Sequence, residues 1–217
     1  MRSPINHFLD AVASRATHDT DMRTLLRELG IDPSGSLDDV TKRLEDLDID
    51  AVSELRTANE ALEERTGRST NLYHGLTYVA KQKWQELMEP HIARAREALD
   101  KDMVAAKDAL SVNDNDRFEA AHDRLVSVAS ELMDVTRDGC NEVRRDLRQH
   151  LSDHKADLTT DARQTIVNQV SNMLSLPKDV NAVMAAPTQL EEARAELVRK
   201  RELAKSVSPR AAPSPMG

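Results

Sequence analysis

Some side chains in this sequence are of the types that carry out chemistry or bind metal ions in proteins. His150 and His154 lie four residues apart, a spacing that lets two imidazoles on one helix reach the same metal ion. Glu119 and His122 form a Glu-x-x-His pair, which provides ligands in di-iron helical bundles. Cys140 is the only cysteine and therefore the only thiol nucleophile.

Each of these candidates lacks the partners that its chemistry requires. A zinc site needs about four ligands, and no third ligand accompanies the two histidines in a recognisable pattern. A di-iron bundle needs the Glu-x-x-His motif on two helices, and the sequence has one copy. No histidine lies within a helical turn of Cys140 to activate the thiol. We therefore expect a protein that is not an enzyme and that uses neither a metal ion nor another cofactor.

The elements that carry these residues are predicted to be long helices. Apolar residues recur at alternating steps of three and four, and this spacing predicts a helix that buries a narrow stripe against other helices. We call this stripe the inner seam, and its members are Phe118, Ala121, Leu125, Val128, Leu132 and Val135. Beyond Val135 the apolar residues recur at every fourth position. We therefore expect a bend or a change of neighbour near Gly139.

The composition favours narrow helical bundles over a deep core. Aromatic residues make up 2% of the chain, whereas they supply much of the buried area of compact enzyme cores. Charged residues make up 31%, which suits solvated helix surfaces. We therefore predict an all-α fold, an elongated helical bundle with coiled-coil-like packing and short N-terminal helices.

Glycine, proline and capping residues predict where these helices begin and end. Gly30 suits a left-handed helix end, and Ser36 suits the N-cap of the helix that follows. Gly67 is predicted to end a helix, and Pro90 to break or kink the next one. A last helix is predicted to open at Pro187, where Thr188 and Glu191 form a capping box.

These boundaries predict four segments of the chain. Residues 1–67 form an acidic N-terminal helical module, and residues 68–157 form a core of long helices. Residues 158–207 supply the C-terminal helices, and residues 208–217 form a flexible proline-rich tail.

The charge distribution argues against nucleic acid as a partner. The net charge is −8, and residues 1–66 carry 15 acidic and 8 basic side chains, an excess that a phosphate backbone would repel. No apolar run approaches the roughly 20 residues that a membrane-spanning helix needs, and the N-terminus does not resemble a secretory signal. We expect a cytoplasmic protein, or one carried in a virion.

Several side chains are candidates for binding a partner protein. Tyr73, Tyr78 and Trp84 cluster within twelve residues, and exposed Tyr and Trp are favoured anchors at interfaces. Burial in an ordinary core is the preferred interpretation for Tyr73 and Trp84. The inner seam contributes Phe118, Leu125 and Leu132, and a basic C-terminal helix contributes Arg199 and Arg201.

The sequence predicts a non-enzymatic structural or scaffolding protein that acts through helix-mediated self-assembly, for example as a virion or assembly component. Its expected partner is a protein, either further copies of itself or another assembly component. The alternative is a regulatory module, such as an inhibitor or effector, that captures a different protein. Both functions need only exposed apolar stripes, so the sequence does not separate them.

Overall fold

The computed structural model describes residues 4–207, with the side chain of residue 207 excepted, and all regular structure in this range is α-helical. Its helices are α1 (Pro4–Ala16), α2 (Thr20–Glu28), α3 (Leu37–Glu45), α4 (Ile49–Val112), α5 (Asn115–Asp153), α6 (Thr160–Met173) and α7 (Lys178–Val207). The predicted all-α bundle is confirmed. The predicted tail, residues 208–217, lies outside the described residues.

The helices form two compact units that share α4 and α5. Unit 1 contains residues 4–83 and 142–174 of the described chain, and unit 2 contains residues 84–141 and 175–207. Both long helices pass from one unit to the other, α4 after Lys83 and α5 after Asn141. Neither unit is therefore a single continuous stretch of chain.

Unit 1 has an apolar core formed by α1, α2 and α3 together with the first part of α4. The fully buried members with the largest side chains are Met22, Leu26, Leu44 and Leu55. Arg15 ties α1 to α4, because its guanidinium donates to Asn59 Oδ1 at 3.3 Å and to Thr66 Oγ1 at 3.1 Å.

The turn between α5 and α6 is fixed to α4 by buried polar contacts. Ser69 is only 2% exposed, and its hydroxyl donates to the carbonyl of Asp157 and accepts from the backbone N–H of Thr159, both at 2.9 Å. The Arg65 guanidinium donates to the carbonyl of Leu158. Side chains of α4 thus bond backbone groups of the turn that would otherwise have no hydrogen-bond partner.

A reciprocal set of hydrogen bonds joins the N-termini of α2 and α6, which we call the Thr–Asp clasp. Thr20 donates its backbone N–H and its hydroxyl to the carboxylate of Asp161, at 2.8 and 2.6 Å. Thr160 donates the same two groups to Asp21 at the same distances. Each carboxylate thereby satisfies an N–H of the other helix's first turn, which has no partner within its own helix.

Unit 2 consists of the second part of α4, the first part of α5, and α7. Arg94 bonds to Glu131 and Arg124 bonds to Asp102, so α4 and α5 run antiparallel. Arg194 donates to Glu119 at 2.6 Å, which joins α7 to α5. A bond from Arg96 to Asp179 and another from Arg201 to the carbonyl of Leu110 join α4 to α7, so these two helices run parallel. These ion pairs connect all three helices.

The core of unit 2 contains the inner seam of α5. Phe118, Leu125 and Leu132 are at most 1% exposed, and Val135 at the end of the seam is half-buried. The other two helices supply small or branched side chains: Ala95, Ala98, Ala106 and Ala109 from α4, and Val180, Val183, Ala186 and Leu190 from α7. Small residues allow helix backbones to approach closely, which explains how a bundle with few aromatic residues fills its interior.

Two predicted helix ends are confirmed by their capping bonds. Gly30 has φ 77°, and its N–H bonds to the carbonyl of Arg27 while Ile31 bonds to that of Leu26, the pattern of a Schellman motif. Ser36 is the N-cap of α3, and its hydroxyl accepts from the backbone N–H of Asp39 at 3.2 Å.

Two other predicted boundaries, at Gly67 and Pro187, are wrong, and of the break or kink predicted at Pro90 the break does not occur. Helix α4 continues through Gly67 and Pro90, and α7 continues through Pro187 instead of opening there. In each case buried side chains lie on both sides of the expected break, for example Met88 and Ala95 around Pro90. The burial of these flanking turns outweighs a local cost of roughly 1 kcal/mol for glycine and 3 kcal/mol for proline.

Candidate functional site

The residues that first suggested chemistry are not gathered into a metal-binding cluster in the described part of the chain. His150 is exposed, and His154 lies beyond the end of α5. His122 stacks on the Phe118 ring and has Nε2 3.6 Å from Glu191, while Glu119 accepts from Arg194. Between residues 4 and 207, no group of three or more His, Cys, Asp or Glu side chains could hold a metal ion.

Four of the predicted partner-binding residues belong to the core of unit 2. Trp84 is 6% exposed, and Phe118, Leu125 and Leu132 are at most 1% exposed. A different protein could reach them only if the helices of the unit separated. The inner seam therefore packs within this chain. That it also binds a partner protein stays a prediction.

The other predicted residues lie at or near the surface. Tyr78 is 63% exposed, whereas Tyr73 is half-buried with its ring edge against His74. Arg199 is exposed on α7. Arg201, also exposed, bonds to Asn113 at the end of α4, so it already has a partner within unit 2.

A second stripe runs along the solvent-exposed face of α5. We call it the outer stripe, and it consists of Asp123, Val126, Ser130, Met133 and Arg137. Its steps alternate between three and four residues, as in the inner seam, so its members share one face of the helix. Val126 is 40% exposed and Met133 is 60% exposed. The stripe therefore presents apolar surface to solvent in the middle of a charged helix.

The outer stripe is self-complementary. Asp123 and Arg137 lie seven residues on either side of Ser130, and their side chains are 80% and 67% exposed. If a second copy of α5 lay antiparallel with the two Ser130 residues opposed, each Asp123 would face an Arg137. Val126 of each copy would then lie beside Met133 of the other. An isologous interface of a two-fold dimer requires this kind of match.

The charged ends of the outer stripe are available for such a contact. Arg137 lies 2.9 Å from Asp134 one turn away, but exposed pairs of this kind contribute little free energy. His122 Nδ1 is 3.9 Å from Asp123, beyond hydrogen-bond distance. Ser130 at the centre is small and exposed, so two helix backbones could approach closely there.

The outer stripe is not evident from the sequence for a physical reason. Its apolar members are only Val126 and Met133, and the stronger inner seam accounts for the periodicity of α5. A signal was present in the seven-residue separation of these two side chains on a face that is otherwise polar.

Comparisons with known proteins give no family. No protein-family model matches the chain, and neither a curated protein nor a solved structure resembles it significantly. None of the helices between residues 4 and 207 combines the length and the apolar character needed to cross a membrane. The function must therefore be inferred from the surfaces of the chain itself.

Proposed function

We propose that this chain is a non-enzymatic structural or scaffolding protein that assembles with copies of itself through the outer stripe of α5. The observation that carries the proposal is the self-complementary order of the stripe, with Asp123 and Arg137 placed symmetrically about Ser130 around two exposed apolar side chains. Exposed apolar residues flanked by charges are typical of protein interaction surfaces.

The length and chemistry of the stripe favour a weak and specific contact. From Asp123 to Arg137 the helix spans about 21 Å at 1.5 Å per residue. A pair of such helices lies at the lower end of interface sizes, so we expect a dissociation constant of about 1 μM to 1 mM. Opposite charges at the two ends fix the antiparallel register and disfavour the parallel one.

Sedimentation velocity over a range of protein concentrations tests this proposal. We expect a monomer–dimer equilibrium that Met133→Glu abolishes, because a carboxylate in the centre of the stripe would be buried without a partner. Val104→Glu is the matched control. Val104 is 53% exposed on α4 in the same unit but lies outside the stripe, so this variant should dimerise normally.

Charge exchange tests the antiparallel register. Asp123→Arg places arginine opposite arginine, and Arg137→Asp places aspartate opposite aspartate, so each single variant should weaken the dimer. The double variant restores both pairs and should dimerise like the original protein. A protein that stays monomeric at every concentration, or a double variant no better than the singles, would contradict the proposed interface.

A further inference from the structure

A groove with basic walls lies in unit 1 between the C-terminal end of α5 and helix α6. Its volume is about 640 Å³. Arg148 and Lys155 line it from the α5 side, and Arg163 and Thr160 line it from α6. Leu151 and Val167 add apolar surface to the same groove. We call it the basic groove.

The three cations of the basic groove are not neutralised within the described residues. Neither Arg148, Lys155 nor Arg163 makes an ion pair or a side-chain hydrogen bond with any residue from 4 to 207. The groove is lined by no acidic side chain of the described chain. The lining of the groove is therefore locally positive in a protein of net charge −8.

The acidic residues of the same segment have partners elsewhere. Asp153 accepts from Gln149 at 2.8 Å, and Asp157 lies 3.3 Å from Arg68 of α4. Asp161 is held by Thr20 in the Thr–Asp clasp. The segment therefore directs its carboxylates away from the groove while its cations line it.

Arg163 also carries a nitrogen donor without a partner. Its Nε atom is buried and has no hydrogen-bond partner. Buried nitrogen donors without partners are rare in proteins, because each one costs free energy.

We propose that the basic groove binds a phosphate ester. Guanidinium groups form bidentate hydrogen bonds with phosphate oxygens, and an ammonium group adds a point charge, so three cations on two sides suit a dianion. The organic part of the ester would lie against Leu151 and Val167. The ester has two sources, a soluble phosphorylated molecule or a lipid headgroup, and the proposal does not depend on self-assembly.

Titration calorimetry with phenyl phosphate and with inorganic phosphate tests the groove in the full chain. We expect phenyl phosphate to bind more tightly, because its ring covers apolar surface. The Arg148→Gln, Lys155→Gln double variant should bind at least about tenfold more weakly, since charge-assisted hydrogen bonds are lost. Both side chains are exposed, so the variant should fold normally, and circular dichroism checks this.

Arg144→Gln is the matched control, because Arg144 is exposed on the same helix but does not line the groove. Equal binding by the double variant and the control, or equal binding of benzoate and phenyl phosphate, would overturn the proposal.

Vesicles of phosphatidylcholine with and without phosphatidic acid separate the two sources. If the protein binds only vesicles that contain phosphatidic acid, and the double variant does not bind them, the ester is a lipid headgroup. Binding of phenyl phosphate without vesicle retention assigns a soluble ester. Absence of both kinds of binding would refute the proposal.

Discussion

Replacing the exposed glycines of α4 with alanine should stabilise the protein. Gly75 lies in the interior of the helix, and a Cβ built on it would meet no atom within 4 Å. Its backbone is not in the left-handed region, so alanine fits without strain. Alanine restricts the unfolded chain more than glycine does, and the expected gain in unfolding free energy is about 0.5–1 kcal/mol. Gly67 has the same surroundings and should give the same gain.

The two substitutions should add, because the sites lie about 12 Å apart along α4. Together they should raise the unfolding free energy by about 1–2 kcal/mol, or the melting temperature by roughly 2–8 °C. Urea denaturation followed by circular dichroism at 222 nm measures the change. The shift should appear in the midpoint of the transition with an unchanged m-value.

Gly139→Ala is the informative counterpart. A Cβ at Gly139 would lie 3.3 Å from Cζ3 of Trp84, so this buried ring would have to give by a few tenths of an ångström, whereas Sδ of Met88 at 3.5 Å would be in ordinary contact. Overpacking of this kind costs about 1–3 kcal/mol, which offsets the gain in helix propensity. We expect Gly139→Ala to be neutral or destabilising. If Gly75→Ala destabilised the protein as much as Gly139→Ala, the reasoning from open space on α4 would be refuted.

Two further predictions concern the inner seam and an ion-pair cluster of unit 1. Leu125→Ala should lower the unfolding free energy by about 2–5 kcal/mol in urea denaturation, because Leu125 is fully buried, whereas Asp123→Ala should change it little. The hydrogen bond from Lys83 lowers the pKa of Asp146, and hydrogen bonds to Asp146 and to Glu142 raise the pKa of Lys83. The stability from Asp146 is therefore complete above the ordinary aspartate pKa of about 3.9 and is lost as the pH falls through the lowered value. The stability from Lys83 is lost as the pH rises through its raised pKa. Lys83→Gln should thus destabilise the protein at neutral pH and make its stability less dependent on pH between about 5 and 2; an unchanged dependence would contradict this assignment.

The sequence predicted the strongly periodic helices well. The predicted inner seam lies on one long helix, α5, because its six residues all favour the same element. The bend or change of neighbour expected near Gly139 stays a prediction, because α4 contacts α5 both before and after this position. Glycine at position 139 allows the Trp84 ring to pack closely against α5, and periodicity alone does not predict this contact.

The errors arose where a local signal competed with distant contacts. Gly67 marked a helix end by composition, but Ser69, two residues later, is fixed to the turn beside α6, and this contact holds α4 in helical form. Pro187 with Thr188 resembled a helix start, but Val183 and Leu190 are both buried in unit 2. Such contacts join residues far apart in sequence, so periodicity within a short window cannot reveal them.

Neither candidate surface was predicted, because each depends on which face of a helix is covered. The outer stripe becomes visible only when the opposite face of α5 is known to be buried. The basic groove combines Arg148 of α5 with Arg163 of α6, and the sequence contains no motif that joins them. The directions of Asp153 and Asp157 matter equally, since their charges would otherwise cancel those of the groove.

The Thr–Asp clasp has a consequence for the order in which the chain is completed during synthesis. Thr20 and its partner Asp161 are 141 residues apart, so a ribosome that adds about 5–20 residues per second needs about 7–28 s to make the second after the first. Throughout this time α2 has emerged without α6. The segments of α4 and α5 in unit 2 follow each other directly, so they can pair during that interval. Unit 1 begins first, and α2 can already pack Met22 and Leu26 against α1, α3 and the first part of α4, but the unit is complete only when α6 has been made.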